Sequence, residues 1–129
     1  MGLSFHTVRN EDDGTIAIST LQKALRPKNV HFAPSKLIAV ENTHNITGGR
    51  CLTVPYMQSV GAFAAEQKLI LHVDGARIFN SVVAQGVSLK DLLRGAQSAS
   101  ICISKGKPTQ QTYSHNRYIV INHCRINNS

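Results

Sequence analysis

Leu69-Ile70-Leu71-His72-Val73-Asp74-Gly75 is the stretch that decides how this chain folds. A short apolar run of this kind, stopped by a glycine, reads as a buried strand. Lys36-Leu37-Ile38-Ala39-Val40-Glu41 upstream has the same character and runs into Asn42-Thr43-His44-Asn45 and Gly48-Gly49, a loop. Ser98 to Ile103 downstream is a third such run, followed by Ser104-Lys105-Gly106. Between the first two runs, Pro55 suits a first helical turn and opens a helix with Val60, Phe63 and Ala64 as its apolar stripe. Between the second and third, Ile78 to Ala84 reads as helical and stops near Gly86. Ser88 then begins another helix, with Asp91 accepting from its first turn and Leu89, Leu92 and Leu93 facing inward. Ahead of all this, Ser19 and Gln22 have the spacing of a capping box. The helix they predict would bury Leu21, Ala24 and Leu25 and end at Pro27.

Strand, helix, strand, helix, strand predicts an α/β domain with a mainly parallel sheet and flanking helices. The crossovers are long enough to bring each strand back in parallel. Ligands of open parallel sheets bind beyond the carboxyl ends of the strands. All three predicted strands end in residues with chemistry to offer: Glu41 to Asn45, Asp74 to Arg77, and Ser104-Lys105. Parallel pairing would gather them at one edge.

Composition narrows the partners. A chain of 129 residues fits one domain. It contains no run of apolar residues long enough to cross a bilayer, and no basic-then-apolar leader, so neither membrane nor secretory routing is expected. Cys51, Cys102 and Cys124 are odd in number and far apart, with no CxxC, which points to a reducing, cytoplasmic compartment. The net charge of +7 is spread out rather than clustered, and no basic run is interleaved with aromatics. Nucleic acid is therefore not the expected partner.

Each candidate residue also has a plainer reading. Lys105 could be an ordinary surface lysine, or an amine whose pKa a low-dielectric pocket depresses until it is a nucleophile. Asp74 could form a turn or face a cation. Arg77 could be a surface residue of the next helix or hold an anion. His44 could close a local turn or act as a base. His72 and Asp74, two apart on a strand, share a face. With His44 they make a loose metal-like set, although a packed strand residue is the simpler account of His72. Cys102, alternating with Ile101 and Ile103, reads as core.

Three segments together resemble one family. Glu41-Asn42-Thr43-His44-Asn45 with Gly48-Gly49-Arg50 is similar to the ENTHN…GG segment of low-specificity L-threonine aldolases. Leu71-His72-Val73-Asp74-Gly75-Ala76-Arg77-Ile78-Phe79-Asn80 resembles their H-x-DGAR-x-FN segment. Ser100 to Gly106 resembles the strand that presents their cofactor lysine. The resemblance runs from about His6 to Gly106. It implies part of the large domain of fold-type-I (aspartate aminotransferase-like) enzymes, which use pyridoxal 5'-phosphate. It also implies a carbon–carbon lyase that cleaves threonine to glycine and acetaldehyde, acting on a small amino acid and assembling as a homo-oligomer. By position, Lys105 would bond the cofactor, with Ser104 beside it. Asp74 would face the ring nitrogen, Arg77 a cofactor oxygen or the substrate carboxylate, and His44 the substrate's β-hydroxyl. A carboxylate about 4 Å from a protonated ring nitrogen is worth roughly 4 kcal/mol at an effective dielectric of 20. That favours the protonated ring about a thousandfold.

The resemblance stops after Gly106. The family continues Leu-Gly-Ala-Pro-Val-Gly where this chain reads Lys107-Pro108-Thr109-Gln110. The expected division is a partial large domain, 1–106, and a non-homologous tail, 107–129. The family's phosphate loop, ring-stacking histidine and small C-terminal domain find no counterpart, so a truncated form with weak or no activity alone is expected. Two alternatives stand beside it: a non-catalytic isoform that associates with a full-length aldolase subunit, and another pyridoxal-phosphate β-eliminating lyase of the same fold.

Overall fold

A computed structural model of the chain describes residues 5–27 and 33–102. Its elements are α1 (Ile18–Ala24), β1 (Leu37–Glu41), α2 (Val54–Glu66), β2 (Ile70–Gly75), α3 (Ile78–Gln85), α4 (Leu89–Leu92) and β3 (Ser98–Ile101). The three strands form one parallel sheet in the order β1-β2-β3. This is the α/β arrangement that the alternating pattern predicts.

The helices start and stop for local reasons. Thr53 caps α2 by accepting from the Tyr56 N–H, and Pro55 lies in its first turn, where a missing N–H costs nothing. Gly86 ends α3 in the left-handed region at φ 63°, a conformation that favours glycine. At α4, Ser88 accepts from the Asp91 N–H while its hydroxyl donates to the Asp91 carboxylate. This reciprocal bond, backed by Arg94, holds the Asp91 carboxyl below its ordinary pKa. The predicted capping box in α1 does not form. The helix opens one residue ahead of Ser19, its cap position is Ala17, and no side chain caps it.

Burial alternates along the strands. Ile38, Val40, Leu71, Val73 and Ala99 face the helices, and with Met57, Val60, Phe63, Ala64, Ile78 and Leu92 they make the core. Helix α2 lies on β2, and α4 packs against both α2 and α3. That approach needs glycine: a Cβ on Gly61 would sit 3.2 Å from Gly95 Cα. The other sheet face carries Leu37, Ala39, Ile70, His72, Asp74, Ser98 and Ser100, of which Leu37, Ala39, Ile70 and Asp74 are exposed. Cys102, expected in the core, is half-buried, because β3 ends at Ile101 and the apolar alternation ends with it. Ile103 lies outside the described residues.

One side chain fastens the N-terminal segment. The Tyr56 hydroxyl accepts from the Ile16 N–H at 2.8 Å and donates to the Ile16 carbonyl at 3.0 Å. Burial pushes the Tyr56 phenol above its usual pKa. A raised folded-state pKa means that the neutral phenol stabilises the fold fully below about pH 10. That contribution fades as the pH climbs through the folded-state value. Tyr56→Phe should cost roughly 1–3 kcal/mol in urea unfolding at neutral pH, since it strands the buried Ile16 N–H. It should also flatten the decline in stability above pH 10. An unchanged urea midpoint would show that this tether carries no stability.

Candidate functional site

The carboxyl edge of the sheet is where the strands deliver their chemistry. Register pairs Glu41 with Asp74 and Asp74 with Ser100. One residue further on, the Asn42 N–H donates to the Asp74 carbonyl at 2.9 Å, so the β1 and β2 exits leave the sheet side by side. Oδ1 of Asp74 accepts from the Ala76 N–H at 3.2 Å and from the Ser100 hydroxyl at 3.2 Å. Among the described residues, nothing donates to Oδ2. Glu41 stands beside Asp74 on the same face, and no described cation pairs with either of them.

His44 is 8% exposed and held by the loop it begins. Its N–H donates to the Arg50 carbonyl, and its own carbonyl accepts from the Gly49 N–H at 2.9 Å. This tight return depends on Gly48 and Gly49, at φ 78° and 83°, where a side chain would be strained. The Thr47 hydroxyl donates to the His44 carbonyl at 3.3 Å and lies 3.0 Å from Nδ1. In the tautomer whose Nδ1–H donates to the Thr47 hydroxyl, the lone pair lies on Nε2. Gly14 lies against the other side: a Cβ there would meet His44 Cβ at 3.0 Å.

Below this loop lies a buried bracket that sequence reading missed. The Asn42 side chain donates to the Leu52 carbonyl at 3.1 Å and accepts from the Leu52 N–H at 3.2 Å. Gln85 donates to the same carbonyl and to the Ser81 hydroxyl, tying α3 to the loop. Asn42 reads as an ordinary loop polar residue. The only hint of its burial is its place directly after an apolar strand.

Arg77 occupies the cap position of α3, half-buried, and its side chain makes no hydrogen bond or ion pair among the described residues. His72 shares the open face with Asp74, as its spacing predicts, and its Nδ1 lies 2.9 Å from the Ser98 hydroxyl. The described residues contain no group of three or more His, Cys, Asp or Glu that could hold a metal ion, so His44, His72 and Asp74 do not form the loose set considered from sequence. The edge thus brings together Asp74, Glu41 and the His44 loop. Ser104 and Lys105 lie outside the described residues, three and four positions beyond the end of β3.

Residues 1–109 match the family model described as beta-eliminating lyase. The chain is 49% identical over 107 residues to a probable low-specificity L-threonine aldolase of Arabidopsis thaliana, covering 81% of this chain and 30% of that protein. It is 44% identical over 97 residues to the low specificity L-threonine aldolase of Escherichia coli, covering 75% and 28%. A solved threonine aldolase of Leishmania major superposes with a TM-score of 0.61 at 25% identity, covering 70% of this chain and 27% of that one. The chain thus spans under a third of the length of these relatives. No helix among the described residues is long and apolar enough to cross a membrane.

Asn42→Ala would leave the buried Leu52 N–H without its partner. It should lower stability by roughly 1–3 kcal/mol in a urea series. Amide hydrogen exchange should quicken in the His44–Arg50 loop more than in β2. Equal protection in the variant and the parent would remove Asn42 from the support of His44.

Proposed function

Because the chain belongs to the beta-eliminating lyase family, we propose that it carries part of the active site of a pyridoxal 5'-phosphate-dependent aldolase that cleaves L-threonine to glycine and acetaldehyde. The observation behind this reading is the in-register edge, where a half-bonded carboxylate, Asp74, leaves the sheet beside the loop that holds His44. The edge fits the cofactor. Two neighbouring carboxylates without a described cation favour a protonated ring nitrogen. Arg77, unpaired among the described residues, is free to take an anionic oxygen.

When bound, the cofactor supplies an electron sink for the bond that breaks at the substrate's α-carbon. The chain does the rest. Lys105, with Ser104 beside it, offers the amine that anchors the cofactor. Asp74 keeps the proton on the ring nitrogen through its open oxygen. Arg77 holds the cofactor oxygen or the substrate carboxylate. The Nε2 lone pair of His44 takes the proton from the β-hydroxyl, which lets the Cα–Cβ bond open toward the aldehyde. Residues 1–106 would form the cofactor-binding unit, with 107–129 as a separate tail. Homo-oligomers in the cytoplasm, on a diet of small amino acids, complete the reading. A β-eliminating lyase is the second reading, favoured by the description of the family model. The retained base at His44 favours the aldol direction, since elimination has no β-hydroxyl proton to remove. Association of the chain with a full-length aldolase subunit is compatible with either chemistry.

Incubating the 129-residue chain with pyridoxal 5'-phosphate, reducing with borohydride and mapping the adduct by mass spectrometry tests the core of the proposal. The adduct should concentrate on Lys105 and vanish in Lys105→Ala. Asp74→Ala should weaken cofactor binding at least about tenfold, the loss of one well-placed charge pair. Label spread evenly over Lys23, Lys36, Lys68 and Lys90, unchanged by Lys105→Ala, would defeat the reading. With L-threonine as substrate, glycine plus acetaldehyde supports the aldolase; a keto acid plus ammonia supports the lyase. His44→Asn should cut turnover about a hundredfold or more and leave cofactor affinity alone.

A further inference from the structure

We infer that Ser100 is a positioning residue that fixes the side-chain rotamer of Asp74 and so aims the open oxygen of its carboxylate at the ring nitrogen. The inference rests on the proposed function for its ligand, although the geometry is that of the chain alone. An aspartate side chain turns about its Cα–Cβ and Cβ–Cγ bonds, and a single donor leaves those rotations loosely held. Asp74 has two donors, and they come from different parts of the backbone. The Ala76 N–H belongs to the turn after β2, and the Ser100 hydroxyl projects from β3 across the register. Both converge on Oδ1, each at 3.2 Å. Oδ2 is thereby left as the open acceptor on the exposed sheet face.

The position of Ser100 is itself held tightly. Gly75, next to Asp74, turns to the buried face, where a Cβ would meet the Ser100 carbonyl at 3.0 Å and Ile78 Cβ at 3.1 Å. A side chain at Gly75 would therefore push β3 or α3 away from the β2 exit, and Ser100 with it. Glycine at this position lets the strands and the start of α3 close up until the hydroxyl reaches the carboxylate. Ser98, two residues earlier on the same face, serves His72 instead, so the two serines of β3 have separate partners. The acceptor is charged, and the hydroxyl and the Ala76 N–H together bias the rotation where either alone would hold it loosely.

The experiment compares the full chain with Ser100→Ala and Ser100→Thr. Three-bond couplings from the Asp74 side-chain carbonyl carbon report its χ1 population without any cofactor present. The parent and Ser100→Thr should each show one rotamer, and Ser100→Ala an averaged set. Titration with pyridoxal 5'-phosphate, followed by fluorescence, should show binding weakened roughly threefold to tenfold in Ser100→Ala and restored in Ser100→Thr. Urea midpoints measured in parallel separate this from general loosening, because the threonine variant keeps the hydroxyl. A rotamer already averaged in the parent, or unchanged in Ser100→Ala with equal cofactor affinity, overturns the positioning role and leaves the proposed function standing. A fixed rotamer released by Ser100→Ala in a chain that binds no cofactor upholds the positioning role and removes the proposed function instead.

Discussion

Register in a three-stranded parallel sheet is the constraint from which the remaining features follow. Glu41, Asp74 and Ser100 are neighbours only because Val40, Val73 and Ala99 are neighbours on the opposite face. A slip of one residue would turn Asp74 toward the helices and Val73 toward water. Each large apolar side chain that stays buried favours the observed register by roughly 1.5–3 kcal/mol. Ile38, Val40, Leu71 and Val73 resist the slip together. The hydrophobic core therefore aims the carboxylate, although it never touches it.

A second layer of control is polar. Asn42 closes both backbone groups of Leu52, and Gln85 shares the Leu52 carbonyl with it. Among the described residues no buried side-chain nitrogen or oxygen is left without a partner. A fully satisfied buried network is rigid, whereas a partly satisfied one costs stability. The loop carrying His44 thus stands on a fixed base, with Gly14 pressed against its side. The two polar groups, with one residue between them, divide the labour: Asn42 bonds the Leu52 backbone, while Nε2 of His44 has no hydrogen-bond partner among the described residues.

Much of this could be read from the residues because strands of four to six residues with one buried face leave a plain signature. Ile70 to Gly75 shows it in its stop glycine, and α2 in Pro55 and its apolar stripe. What escaped depends on partners distant in sequence. Ser19 and Gln22 have capping-box spacing, yet the chain enters α1 from an extended Ala17, just after Ile16 has been seized by Tyr56 forty positions away. A local capping preference worth about 1 kcal/mol yields to such a tether. The Asn42 bracket escaped for the same reason, because its partner Leu52 lies across the loop. Ser100 could be read as a strand residue but not as a partner of Asp74, since that pairing exists only once the register is known.

The open sheet face makes two different demands along its length. At its amino end Leu37 and Ile70 pair in register, 51% and 47% exposed, where a parallel sheet is ordinarily covered. At its carboxyl end the same face presents Glu41, Asp74 and Ser100, where covering with apolar side chains would strand charges. Ala39, His72 and Ser98 lie between, small or amphipathic, and mark the change from one regime to the other. A single apolar layer over the whole face would satisfy one end at the expense of the other. Among the described residues, the face is thus apolar in its amino half and polar in its carboxyl half. That division is set by the order of residues along three short strands, and it is the physical reason that polar side chains collect at one edge of this sheet.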